Sequence, residues 1–265
     1  MVASALTFFF MGIQTILLSP YLMLVAGWSA ATMGAMSLLT GIPMFLLAML
    51  IPKLMPNANP RHVLQLGYIV MAGSLLLMYS SISEDGVGIG MYIGFFLVGV
   101  GSGISSSHTN NVVALALSDK DEAQSGGVQT TMRNVGQAIG VAALGAVLLF
   151  GITSNINAAM EADPDITPTV REAVSQRSIT LMSDESFLST ISDIDMTEQE
   201  KADLVAINSK ARVDASKTAF IVAAVIMAAG LLTTPFITVL RKEEEGATAK
   251  QPAAAGLDEL EPAAR

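Results

Sequence analysis

Across the first 118 residues only four side chains are charged, Lys53, Arg61, Glu84 and Asp85. Long uninterrupted apolar stretches separate them, and these cannot all be turned away from water within a domain of this size. Charged residues make up 14% of the whole chain, against about a quarter in ordinary soluble domains. With 52% hydrophobic residues and a positive mean hydropathy of +0.56, the sequence predicts a membrane protein and excludes a soluble globular domain.

A helix needs about 20 apolar residues to cross a hydrocarbon core roughly 30 Å thick. Six stretches qualify: 2–26, 30–51, 62–81, 87–107, 127–151 and 218–240. The expected fold is therefore an all-α membrane protein, a six-helix bundle with one long extracytoplasmic loop. Pro52, Pro56 and Pro60 punctuate one short connection, and Glu84-Asp85-Gly86 reads as a turn. The first stretch is not a secretory signal, because it lacks a basic lead and exceeds the usual h-region of about 7–15 residues. Met1 stands at the very start of a span, which reads as a fragment beginning at an internal methionine.

Orientation follows from Lys and Arg in the short loops. Lys53, Arg61 and Lys120 lie on one side, with Arg241 and Lys242 after the last span, and the opposing short loops hold none. The N-terminus, 52–61, 118–126 and the tail are thus expected in the cytoplasm. Arg212 and Lys217 flank the last span on the other side, where a long loop translocates largely regardless of charge. The domains expected are helices one to five over 1–151, an extracytoplasmic loop over 152–217, the last helix over 218–240, and a disordered cytoplasmic tail over 241–265.

The long loop has structure of its own. Ile179, Leu181, Met182, Phe187, Leu188 and Ile191 are enough for a short amphipathic helix within 175–192. Thr197-Glu198-Gln199-Glu200 is a capping box, in which Thr197 caps the Glu200 amide and Glu200 reaches back. The helix it opens runs to Ala211 or merges with the last span. A lid, a partner-docking hairpin and a solvated connection all fit this pattern.

The net charge of −9 is unevenly spread, with twelve acidic residues between 152 and 217 and six after Leu240. No basic patch with interleaved aromatics exists, so nucleic acid is not an expected partner. The chain has no cysteine, which removes disulfides, thiolate nucleophiles and thiolate metal sites. His62 and His108 form no metal motif. No nucleophile stands near a base at helical spacing, so the expectation is no enzyme, no catalytic residues, no cofactor and no metal.

The fifth span opens with Gly127-Val-Gln129-Thr130-Thr-Met-Arg133-Asn-Val-Gly136-Gln137-Ala-Ile-Gly140-Val-Ala142. This closely resembles the penultimate helix of the 14-helix drug:proton antiporters, the EmrB/QacA type of the major facilitator superfamily. Gly27-Trp-Ser29-Ala-Ala-Thr-Met-Gly34 and Leu38-Leu39 through Pro43 are similar to that family's Gly-x-Ser-Pro-x-x-x-Gly and Leu-Pro, with Ala30 in place of the first proline. Gly94, Gly99, Gly101 and Gly103 form a glycine ladder of the same type. The resemblance covers about residues 1–150 and implies the carboxyl-terminal half of such a transporter. Two departures stand out. Loop 52–61 lacks the acidic residue of the family's Gly-Arg-Leu-x-Asp-Arg, and no Asp or Glu lies within any span. Proton coupling needs a titratable group in the membrane, so the resemblance implies that the coupling carboxylates sit in a missing N-terminal half.

Arg133 is the one charge inside a span, about two turns from its cytoplasmic end. A charge at mid-membrane costs at least ~2.5 kcal/mol unless it snorkels, pairs or faces water. Gln129, Thr130, Arg133 and Gln137 are the gate candidates, with snorkelling of Arg133 the structural alternative. Gly136 and Gly140 complete the motif as helix-contact residues. Gln14 and Tyr21 share a face of the first span, which by resemblance lines the central cavity. Ser102 and Ser106 open a polar cluster running to Asn111. These four are the substrate-pathway candidates, or else make interhelical and within-helix hydrogen bonds.

The function expected is efflux of multidrug or other amphipathic solutes by proton antiport and alternating access. Its partners are the lipid bilayer, the missing half, a small amphipathic solute and protons, and its place is a bacterial-type cytoplasmic membrane. A non-transporting interaction protein or truncated product is the alternative. The orientation has a direct test in this cysteine-free chain. Cells carrying Glu84→Cys or Ser175→Cys should react with an impermeant thiol reagent added outside, and cells carrying Asn57→Cys should not. Labelling of the Asn57 variant alone would invert the topology.

Overall fold

The computed structural model describes residues 9, 19, 21–55, 58–83, 86–115, 122–177 and 179–234. The expected first span thus lies mostly outside the described residues, which retain Phe9, Ser19 and one π-helical turn, Tyr21–Val25. The expected tail lies outside them as well. Gly27 takes φ +68°, a left-handed turn that glycine adopts freely. Ser29 then caps the next helix by accepting from the Thr32 amide at 3.2 Å. That helix, α1, is Ala30–Leu54, and Pro43 and Pro52 lie inside it. Asn59 caps α2, Pro60–Ser80, with Pro60 in its first turn, where a missing N–H is no loss.

Ile82–Ser83 and Gly86–Val87 pair as a minimal antiparallel β-ladder before α3, Ile89–Leu115. Next come α4, Glu122–Ala162, and two short helices, α5, Pro168–Ser175, and α6, Asp184–Thr190. Last are α7, Glu198–Gly230, and a 3₁₀ turn, Leu231–Thr233. Among the described residues five helices are long and apolar enough to cross a bilayer: Ala30–Leu54, Pro60–Ser80, Ile89–Ser107, Thr130–Ala162 and Glu198–Gly230. The chain is an all-α membrane bundle.

Helix α3 is the hub, and its glycines explain why. A methyl group built on Gly101 would sit 2.9 Å from the Gly67 carbonyl oxygen of α2, and one on Gly67 equally close to the Gly101 oxygen. Gly94 meets Met78 of α2. On the other side Gly99 lies against the Thr40 carbonyl of α1, and a methyl on Gly103 would come within 2.7 Å of the Met44 oxygen. Thr40 Oγ1 donates to the Phe95 carbonyl at 3.0 Å, tying α1 to α3. Small residues let membrane helices approach this closely. Helix α1 buries little beyond Pro43, so Leu38, Ile42, Phe45, Leu46 and Leu54 remain exposed.

Two helices are longer than a bilayer crossing requires. The 41 residues of α4 span about 60 Å at 1.5 Å per residue, and the helix continues well past the expected end at 151. Ile152, Ile156 and Met160 are buried on one face, so polar Thr153, Ser154 and Asn157 interrupt the hydropathy without interrupting the helix. Helix α7 merges with the last span in the same way. The segment expected to carry a short amphipathic helix within 175–192 has one over Asp184–Thr190. Helix α5 stops at Ser175, and α6 restarts where Ser183 accepts from the Ser186 amide. Ile179, Phe187 and Ile191 stay buried all the same, clustering with Val170, Val174 and Leu204 in a small helical domain continuous with the bundle core.

One carboxylate holds that domain together. Glu200 Oε2 accepts from the Thr197 amide at 2.8 Å and its hydroxyl at 2.9 Å, closing the capping box. Oε1 accepts from the Thr167 amide at 3.1 Å and its hydroxyl at 2.9 Å. Thr167 is the N-cap of α5, so Glu200 binds the starts of two helices at once. The Thr197 and Thr167 amides, followed by the two hydroxyls, hold its carboxyl down to about 2.

Two outcomes are expected. Because the folded carboxyl titrates below its unfolded value of about 4.3, its contribution is complete above that pH and is lost as pH falls toward 2. The α5–α6 region should therefore become pepsin-sensitive between about pH 4.3 and 2, and Glu200→Gln should be sensitive already at pH 5. Equal protection of both proteins at pH 5 would rule this out. In the membrane, Gly101→Val should cost about 1–3 kcal/mol by overpacking, read as a lowered melting temperature in detergent. Gly34→Val, where nothing lies within 4 Å, should melt close to the parent.

Candidate functional site

The motif on α4 divides into two faces. Gly136 and Gly140 are buried, and a methyl on Gly140 would run into the Phe9 backbone, 3.2 Å from its carbonyl carbon. Leu144 and Leu148 continue that inner face. Thr130, Arg133 and Asn134 are exposed, and Gln137 is half-buried. Arg133 thus belongs to the face turned away from the bundle core. Gln129 lies within α4, and its side chain falls outside the described residues.

The substrate-pathway candidates are dispersed. Ser102 is 4% exposed and packs onto α2, its hydroxyl donating to Met71 Sδ at 3.7 Å. Ser106 is half-buried, and its neighbour Ser107 donates to the Ile104 carbonyl within the same helix at 2.6 Å. Gln14 lies outside the described residues. Tyr21 is buried in the π-helical turn, away from these serines in the chain, and Arg212 of α7 lies within electrostatic reach of its phenol.

Arg212 leads to a cluster that sequence reasoning missed. Asn208, Arg212 and Ser216 occur at successive intervals of four on α7, and all three are buried. Arg212 Nη2 pairs with Asp184 Oδ1 of α6 at 2.8 Å, and Nη1 donates to the Met182 carbonyl at 2.7 Å. Asn208 Nδ2 reaches the same Asp184 oxygen at 3.4 Å. The Arg212 side chain is 3% exposed and that of Asp184 46%, so one partner is sequestered and the other faces solvent. Arg212 Nε, Asn208 Oδ1 and Ser216 Oγ have no partner among the described residues. The signal was present as three polar residues in helical register, but Arg212 read as a loop residue flanking a span.

At the opposite end of α7, Gln65 Nε2 donates to Thr234 Oγ1 at 2.9 Å. Trp28 stacks on Tyr92 with ring centroids 5.3 Å apart, uniting the connection before α1 with the start of α3. Aromatic pairs of this kind suit the membrane–water boundary. Among the described residues no group of three or more His, Cys, Asp or Glu is arranged to hold a metal ion.

Comparison with known proteins agrees with this architecture. The family model for the Major Facilitator Superfamily matches residues 1–158. No curated protein and no solved structure matches the chain. The matched region takes in the glycine-packed α1, α2 and α3 and the motif on α4, and the family is one of transporters rather than enzymes. This chain, a multi-pass bundle of apolar helices set in a lipid bilayer, belongs to the Major Facilitator Superfamily of transmembrane transporters.

Proposed function

We propose that this chain is the carboxyl-terminal six-helix half of a drug:proton antiporter of the 14-helix type, working in a bacterial-type cytoplasmic membrane. It moves small amphipathic solutes by alternating access, in which two bundles rock about a site between them. The observation that carries this is the two-faced α4. Its glycines, Gly136 and Gly140, are buried, while Thr130 and Arg133 lie on its exposed side, the side an opposing bundle would face. The exposed apolar side of α1 gives that bundle, or lipid, a second surface.

Gln14, Tyr21, Ser102 and Ser106 are the polar groups of the proposed solute pathway, and Gln129, Thr130, Arg133 and Gln137 those of the gate. The six apolar stretches read from the sequence contain no carboxylate, so we place the proton-coupling group in the second bundle. The match to a transporter family supports the general activity, and the motif resemblance supports the drug-antiporter type.

Everted vesicles with an imposed proton gradient and an amphipathic dye test this. Efflux is expected from the chain joined to an upstream eight-helix segment of the same family type, and not from the 265 residues alone. Efflux by the chain alone would overturn the placement of coupling, and its absence from both would overturn the antiport itself. In the joined protein Arg133→Lys separates gate from snorkel. A lysine snorkels as well but cannot reproduce the planar, multidentate bonds of a guanidinium. At matched expression the lysine variant should lose most of its transport, and full transport would return Arg133 to a structural role.

A further inference from the structure

A guanidinium offers two forks to a planar anion, one at its end and one along its side through Nε and the adjacent Nη. Arg212 uses neither fully. Asp184 engages Nη2 through a single oxygen, the Met182 carbonyl takes Nη1, and Nε has no partner among the described residues. One turn to either side lie Asn208 Oδ1 and Ser216 Oγ, both buried and both without a described partner. Three buried polar groups in one register, each short of a bond, are costly to hold in an apolar bundle.

The anion now serving Arg212 comes from the shortest helix of the α5–α6 region, α6, and is half exposed to solvent. If α6 moved away, the buried charge would be left unpaired, which is strongly unfavourable. An anion that took its place would restore the pairing Asp184 now supplies.

We propose that the Asn208–Arg212–Ser216 face of α7 is a subsite for the anionic headgroup of an amphipathic solute, held shut in this structure by Asp184. The carboxylate, sulfonate or phosphate of such a solute fills the side fork of Arg212, with Ser216 donating to it. Asp184 acts as the internal anion that is displaced. The proposal deepens the amphipathic-solute function by giving the headgroup its charge.

The test uses Ser216→Cys in the otherwise cysteine-free full chain. Its labelling is followed with sulfonatoethyl methanethiosulfonate and with the trimethylammonium-ethyl counterpart, each rate divided by that of Ser175→Cys, which is exposed. With Asp184 intact or replaced by Glu, both reagents should react slowly. With Asp184→Asn the sulfonate reagent should be favoured by about tenfold, as local charge focusing on this scale allows. Adding Arg212→Gln should erase the preference, and decanoate, but not decyltrimethylammonium, should protect the cysteine. A preference that survives Arg212→Gln, or an Asp184→Asn protein that stays unlabelled, would overturn the subsite. Asp184→Ser serves as a second opening variant should Asp184→Asn not remain monodisperse. Labelling needs no transport, so the results separate. Protection by decanoate without dye efflux from the joined protein sinks the antiport, and efflux by the joined protein without charge preference sinks the subsite.

Discussion

Bare backbone on two sides of α3 is the contact from which the rest of the bundle is built. In lipid, hydrophobic burial gives helices little reason to prefer each other over acyl chains, so association depends on close packing and on hydrogen bonds between backbones. Gly94 and Gly101 open α3 to α2, and Gly99 and Gly103 open it to α1. The spacing turns the two pairs to different sides of one helix. Reciprocal contact of Gly67 with Gly101 brings two carbonyl-lined backbones together where any side chain would hold them apart. The Thr40 hydroxyl then finds the Phe95 carbonyl across the gap.

Most of the fold was legible in the sequence because the membrane imposes one rule. Backbone polar groups must be satisfied within the segment, so a long apolar run becomes a helix with little choice. The glycine ladder announced contact, although not which neighbour each glycine meets. The same rule misled at the boundary. Hydropathy reports where lipid ends, whereas a helix ends where its capping fails, and α4 passes through Thr153, Ser154 and Asn157 to Ala162 without interruption. Ser183 and Asp184 did the opposite. They supplied a cap in the middle of an amphipathic stretch and set where its helix starts.

The candidate site was less legible, and Arg133 and Arg212 show why. Arg133 stood out because it interrupts an apolar run, yet it is exposed on α4. Arg212 hid among eleven other residues of a polar segment, 201–212, and is buried. Burial of an arginine depends on a partner distant in the chain, here Asp184 on another helix, and no local pattern encodes that pairing. The Thr197 capping box, by contrast, is local, and both of its bonds form. Its reach to Thr167, which joins it to α5, is again invisible to local reasoning.

Two helices then divide the mechanical work. Helix α1 carries Pro43 and Pro52 within it, and proline both removes a backbone bond and bends a helix. Pro43 is the buried residue of α1 and lies against the bare backbone of Gly99 on α3. Helix α7 has no proline and no glycine before Gly230, and it is tied at both ends, by Glu200 to Thr167 and, just past its last turn, by Thr234 to Gln65. It is a continuous rod of 33 residues, about 50 Å long at 1.5 Å per residue. Asn208, Arg212 and Ser216 ride on that rod where it enters the bundle, while Asp184 rides on a short helix outside. Displacement of α6 from α7 therefore acts at the Arg212 guanidinium, with no distortion of α7 required.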